Sequence, residues 1–280
     1  MQSPLPNKIG VGLITCDREE FFKKSYKSIE HNYDISFVVV DDGVDTPVRN
    51  LIDFTEDGNA HYIKTNGKEG VAVAKNKALQ YLIECGCEHI FLVEDDVEIM
   101  DSRVFDFYIK ASKTTGIKHF NFGLHGNHNT DAQGNPVYRK IINYPDGTKI
   151  FLYPNVLGAF SYYHIDTLNT VGKMDEQFYN ALEHVDHTYQ IIEAGYHPFF
   201  RWFADVEGSN QYIRDVVPDH QQSKIRSEKD FIKNFFENHD RFVEKNKFAV
   251  VQGRGPAEIN YTEQEVVKNL KEIWKNHAEK

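Results

Sequence analysis

A chain of 280 residues with 42 Asp and Glu against 32 Lys and Arg has a formal net charge of −10, which argues against a protein held to nucleic acid by broad electrostatics. Its three cysteines, Cys16, Cys85 and Cys87, make no disulfide framework, and free thiols in a reducing compartment are expected. No apolar run approaches the roughly 20 residues that cross a bilayer, and Met1 to Lys8 hold prolines and no apolar h-region. A cytoplasmic protein is therefore expected, reaching a membrane surface only through a partner or a lipid-linked substrate.

Lys8 to Thr15 reads as a first strand, and Glu19 to Glu30 as a helix with Phe22, Tyr26 and Ile29 on one face. A β-branched strand, Ile35 to Val40, runs into Asp41-Asp42-Gly43; a short helix near Val48 to Phe54 and a strand from His61 to Lys64 follow. Gly70 to Cys85 is a helix closed by Gly86. The first hundred residues thus alternate β-α-β-α-β-α-β, and crossovers this short demand a parallel sheet with helices on its faces. Further on come a helix at Asp101 to Lys113, a strand at Phe120 to Leu124, and a hairpin turning at Asp146-Gly147. Strands at Ala159 to Ile165 and Tyr196 to Phe203 bracket helices at Asp166 to Val171 and Glu183 to Ala194. Beyond about Ser223 the chain turns polar and helical. Ser227 to Lys247 carries Phe231, Phe235, Phe236 and Phe242, read as packing residues, and Thr262 with Glu265 forms a capping box for a last helix.

The stretch Ile90-Phe91-Leu92-Val93-Glu94-Asp95-Asp96 organises the rest. An apolar run of this kind is a strand buried on both faces, and the acids that follow cannot stay in a core as bare charges. They belong at the strand's mouth with water or a cation. Carboxylates at i and i+2 can hold a hard divalent ion and leave room for phosphate oxygens. Asp17, Asp41, Asp42 and Glu94 to Asp96 all fall at carboxyl ends of strands, where open α/β sheets bind ligands. Each stretch alone is equally a solvated turn; their convergence favours a shared site. His125 and His128 read as loop residues, and Tyr162, Tyr163, Phe199, Phe200 and Trp202 as core.

Six segments in order, Ile14-Thr15-Cys16-Asp17-Arg18, Val38 to Gly43, Gly70 to Ala78, Glu94-Asp95-Asp96, Glu183 to Asp186 with Glu193-Ala194-Gly195-Tyr196, and Asp219 to Ser223, resemble the motifs of family 2 inverting glycosyltransferases. The likeness covers roughly residues 8 to 224. It implies a GT-A fold, a Rossmann-like, mainly parallel sheet flanked by helices. Residues 1–224 would form the nucleotide-sugar-binding and catalytic domain and residues 225–280 a C-terminal helical extension that closes over the site, packs on the domain or pairs two chains.

The resemblance also implies roles. Thr15 and Asp17 would line the nucleotide pocket, Asp41 would accept from the base, Lys75, where the family commonly has Arg, would face the diphosphate, and Glu94 would sit near the ribose. Asp96, with Asp95 beside it and His220 as a further ligand, would bind Mn2+ or Mg2+. The activity implied is transfer of a sugar from a nucleotide-sugar donor, UDP-linked, to a hydroxyl of a glycan or glycoconjugate. The family's usual base, an Asp, is replaced by His184. Glu183 and Asp186 rank ahead of His184 as base because the neighbouring acids are what the family most often retains. A non-catalytic nucleotide-sugar-binding or assembly protein is the alternative. A nucleotidyltransferase ranks below both, for want of a basic, Gly-rich phosphate loop after the first strand.

Overall fold

The computed structural model describes residues 8–29, 35–52, 60–216, 224–251, 253–256 and 259–278. Apolar β-branched runs form β1 (Ile9–Thr15), β2 (Ile35–Asp41), β3 (Ala60–Lys64) and β4 (His89–Glu94), which are parallel. Between them lie α1 (Glu19–Ile29) and α2 (Val71–Glu84), while the expected helix after Val48 is a single 3-10 turn, Arg49–Leu51. The helix α2 rides directly on β1 because Gly12 has no side chain: a Cβ there would meet the Ala78 Cβ at 2.7 Å.

The acidic stretch is not one strand. Asp95 and Asp96 form a turn, and β5 (Val97–Ile99) leaves the sheet to pair antiparallel with β11 (Ile213–Asp215). After α3 (Val104–Thr115) come β6 (His119–Asn121), the hairpin β7 (Lys140–Asn143) and β8 (Lys149–Tyr153), and β9 (Phe160–His164). The main sheet runs β3-β2-β1-β4-β9-β6, with β9 antiparallel to both neighbours. This is the mainly parallel, helix-flanked sheet of the GT-A fold. The strand β6 stops short of Leu124 because Asp205 takes the Gly123 N–H at 2.8 Å. After α4 (Ile165–Val171) and α5 (Glu183–Glu193), β10 (Phe203–Val206) joins β8 and β7 in a three-stranded sheet.

The expected strand from Tyr196 to Phe203 is a loop that reaches strand geometry only at Phe203. Pro198 has no N–H to give a ladder, and Arg201 takes a left-handed conformation (φ 65°). The buried His197 fixes this loop, with Nδ1 2.8 Å from the Pro198 carbonyl and Nε2 accepting the Ala204 N–H at 3.1 Å. Protonation would turn Nε2 from acceptor into donor against that N–H. Burial accordingly pushes His197 down to about 4, the Pro198 hydrogen bond only partly opposing it. A histidine whose folded value lies below its unfolded one contributes stability above pH ~6.5 that is lost as pH falls toward the folded value. His197→Gln should therefore show a stability gap to the parent that narrows by about 2 kcal/mol between pH 7 and pH 4.5, read from urea unfolding at both values. The comparison isolates His197 from Asp205, whose burial raises it to about 6 and acts in the opposite sense.

After the short α6 (Lys224–Ser227), the helices α7 (Phe231–Asn246) and α8 (Glu263–Ala278) pack on the body. Val266, Leu270 and Ile273 of α8 enter the cluster that contains β1, β4 and α3 side chains. Phe242 of α7 is buried with Phe178, Val185, Phe200 and Phe203. The capping box forms: Thr262 N–H donates to Glu265 Oε2 at 2.7 Å and Glu265 N–H to Thr262 Oγ1 at 3.3 Å. No helix among the described residues is long and apolar enough to cross a membrane.

Candidate functional site

Parallel register brings three strand ends together, with Thr15 opposite Asp41 and Ile14 opposite Glu94. Two adjoining cavities open there, a larger one of about 330 Å3 and a smaller one of about 80 Å3. Arg18, Glu94 and Asp96 line both. Thr15, Asp42, Asp95 and Lys68 line only the smaller; His125, Glu183 and His184 line only the larger.

Three of the expected nucleotide-contacting residues, Asp41, Asp17 and Lys75, are not on these walls. Asp41 is fully buried. Its Oδ1 accepts the Gly43 N–H at 2.8 Å, and its Oδ2 accepts the Val48 N–H at 3.1 Å and the Tyr62 hydroxyl at 2.8 Å. Asp17 Oδ1 accepts three successive N–H groups, Val44, Asp45 and Thr46, at 2.7–2.8 Å. Both carboxylates brace the loop after β2, because a buried carboxylate takes whatever N–H groups the turn leaves unpaired. The acid that reaches the smaller cavity is Asp42, held by the Glu69 and Gly70 N–H groups at 2.9 Å each.

Lys75 is also differently employed. Its Nζ lies 2.7 Å from Glu94 Oε1, 3.4 Å from Glu183 Oε1 and 3.1 Å from the Gly158 carbonyl, at 1% exposure. Burial opposes its charge, but Glu94 and Glu183 outweigh burial and hold the ammonium well above its usual value. Lys75 is thus an internal tie between β4 and α5. Gly158 makes the tie possible, since a Cβ there would stand 2.9 Å from His184 and 3.1 Å from Lys75 Nζ. Lys75→Met leaves Glu94 and Glu183 without their shared cation, and should cost about 3–5 kcal/mol of unfolding free energy, measured by denaturant titration.

At the β4 end, Arg18 lies 3.0 Å from Asp95 Oδ1 and 3.2 Å from Asp96 Oδ2. Burial pushes Asp95 up to about 7 against the pull of Arg18, and Thr15 Oγ1 donates to its Oδ2 at 2.7 Å. Asp96 Oδ1 is buried with no hydrogen-bond partner among the described residues. An orphaned carboxylate oxygen at the mouth of two cavities fits a hard cation whose remaining ligands come from substrate phosphates and water. Among the described residues no group of three or more His, Cys, Asp and Glu forms a ready-made metal cage. His220 lies outside the described residues.

On α5 the three candidates part company. Asp186 is buried away from both cavities, accepting from Lys245 Nζ at 2.8 Å and Asn246 Nδ2 at 3.0 Å. Glu183 accepts from Lys75 and lies 3.1 Å from His184 Nδ1. Burial would raise it, but His184 and then Lys75 draw it down to about 2. His184 remains partly exposed on the larger cavity. With Nδ1 donating to Glu183, Nε2 is the nitrogen free to take a proton. The apolar part of the lining includes Phe231 and Phe235 of α7, which pack against the cluster that holds Phe200 and Phe203.

Sequence reasoning missed the pair His125 and Asp215. The Nδ1 of His125 lies 2.7 Å from Asp215 Oδ1, and Asp215 Oδ2 accepts the Gly126 N–H at 2.7 Å. Burial pushes this imidazolium down, yet the Asp215 hydrogen bond and the charges of Asp96, Asp215 and Glu94 hold it up at about 9. No short motif links the two residues; only the pairing of β5 with β11, which carries Asp215 beside the Asp96 turn, brings them together.

A family model, "Glycosyl transferase family 2", matches residues 11–162, more than half of the chain. No curated protein sequence matches the chain. Among solved structures, S. aureus TarS 1-349 in complex with UDP superposes with a TM-score of 0.56 at 14% identity, over 98% of this chain and 72% of that one. A longer S. aureus TarS chain gives a TM-score of 0.53 at 15% identity over 96% of this chain, which spans only 43% of it. GalNAc-T7 with UDP, GalNAc and Mn2+ gives 0.59 at 12% identity, over 99% of this chain and 57% of that one. At such identities the likeness shows the fold.

Proposed function

The chain belongs to glycosyl transferase family 2, and from that membership we propose that it moves a sugar from a nucleoside-diphosphate donor, UDP-linked, to an acceptor hydroxyl on a glycan or glycoconjugate with inversion at the anomeric carbon. The carrying observation is that an orphaned carboxylate oxygen, Asp96 Oδ1, and an oriented imidazole, His184, border the same cavity. TarS and GalNAc-T7, whose folds this chain shares, were solved with UDP, which supports the choice of nucleotide.

The nucleoside occupies the smaller cavity against Thr15 and Asp42, and the diphosphate passes Asp96 into the larger one. Asp96, with His220 and the diphosphate oxygens, would hold Mn2+ or Mg2+. Such a cation, when bound, supplies the positive charge that a departing diphosphate needs. His184 Nε2 takes the proton of the acceptor hydroxyl as that oxygen attacks. Glu183, ionised throughout, holds Nδ1 and offsets the charge gained by the ring. Asp186 tethers α7 and Lys75 sets the spacing of the two glutamates. Residues 1–224 carry the donor and catalytic groups; residues 225–280 wall the acceptor side.

The test is a panel of nucleotide sugars incubated with the purified protein and Mn2+, with nucleoside diphosphate release as readout. One donor should be consumed, chelation should suppress the release, and the product's anomeric configuration by NMR should be opposite to the donor's. A protein that neither consumes nor is thermally stabilised by any member of the panel is not this enzyme.

A further inference from the structure

Among the described residues, two other cations stand against the acidic strand end, and both are committed to protein carboxylates: Arg18 to Asp95 and Asp96, Lys75 to Glu94 and Glu183. His125 differs. Asp215 grips the ring through Nδ1 and grips the backbone at Gly126 with its second oxygen, so the orientation of the ring is fixed from two points. The grip is itself anchored: Val216 N–H donates to the Asp96 carbonyl at 2.7 Å, and Asp215 lies opposite Val97 in the β5–β11 ladder. Nε2 has no hydrogen-bond partner among the described residues, and His125 lines the larger cavity together with Asp96 and Glu94. The Asp215 carboxylate on Nδ1 favours the doubly protonated ring, leaving the cavity-side N–H to spend on a ligand.

We infer that His125 is a donor-contacting residue, whose Nε2–H binds the β-phosphate of the nucleoside-diphosphate leaving group, with Asp215 as its positioning residue. The inference rests on the proposed reading of the site as a sugar-nucleotide pocket. His125 borders the larger cavity and not the smaller; with the nucleoside placed in the smaller cavity as proposed, that is the side on which the second phosphate and the sugar emerge. A charged donor there fills the place that Lys75, turned inward, does not.

The β-phosphate is the difference between UDP and UMP, so their affinities separate this role from a structural one. Calorimetry on His125→Gln should show UDP binding weakened about 10- to 100-fold, the range of one hydrogen bond to a charged group, with UMP binding unchanged. Asp215→Asn should shift UDP in the same direction by less. Unchanged UMP binding also reports that the variant is folded. Equal weakening of UDP and UMP overturns the inference in favour of a loop-shaping role. Unchanged UDP overturns it outright. A loss confined to Mn2+ affinity overturns it in favour of metal ligation. Failure of the parent protein to bind UDP or UMP would strike the nucleotide reading instead.

Discussion

Asp96→Asn should abolish sugar transfer in a protein that stays folded. The substitution keeps the shape of the side chain and one carbonyl oxygen, so the turn between β4 and β5 should survive, and Arg18 retains Asp95 at 3.0 Å. What disappears is the negative charge beside an oxygen that no donor among the described residues satisfies. If that oxygen holds a divalent cation, its loss removes several kcal/mol of charge stabilisation from the departing diphosphate, and turnover should fall by about 1,000-fold or more. The measurements are kcat under saturating donor, Mn2+-dependent UDP binding by calorimetry, and the melting temperature as a control. Parent-like turnover in this variant would remove Asp96 from the metal and leave the strand end as a buried ion-pair network with Arg18.

His184→Ala should lower kcat by about 100- to 10,000-fold, the usual contribution of a positioned general base, while leaving donor KM within a few-fold. The ring lies over Gly158 and lines the larger cavity and not the smaller, where the nucleoside is proposed to sit, so donor binding should not sense its removal. Asp186→Asn is the counterpart. That carboxylate is spent on Lys245 and Asn246, and its loss should loosen α7 and change turnover by less than about tenfold, the scale of one exchanged hydrogen bond. The reverse order, with Asp186→Asn the more damaging to kcat, would restore the acid as base.

Much of this was legible in the chain itself, and the losses have physical causes. The β-α alternation of the first hundred residues could be read because each apolar run exceeds what a turn can hide, and the four strands form as a parallel set. The strand ends were legible for the same reason: acids following a buried run have only one place to go. What could not be read was which way each carboxylate turns. Asp41 and Asp42 are neighbours with the same chemistry, yet Asp41 is consumed by the loop after β2 and Asp42 faces the cavity. Lys75 and His184 were in view, but the sequence does not show that Glu183 lies between them. His125 and Asp215 were invisible because they are 90 positions apart and meet through a three-residue ladder. The loop at Tyr196 to Trp202 failed as a strand because a single histidine, His197, offers its backbone partners that a ladder would otherwise have supplied.

The grip of α7 on the start of α5 has a consequence for acceptor choice. Asn238 Nδ2 donates to the Tyr179 and Ala181 carbonyls at 2.8 and 3.0 Å, immediately before the residues Glu183 and His184, and Lys245 and Asn246 clasp Asp186 just after them. The helix that carries Phe231 and Phe235 into the lining of the larger cavity is therefore riveted to the segment that carries His184. Under the proposed function, a bulkier acceptor that displaced these rings would drag the imidazole with it, which would make size discrimination and catalytic alignment one mechanical unit, and enlarging the cavity by evolution or design would start with residues that line it and spare those that fasten α7.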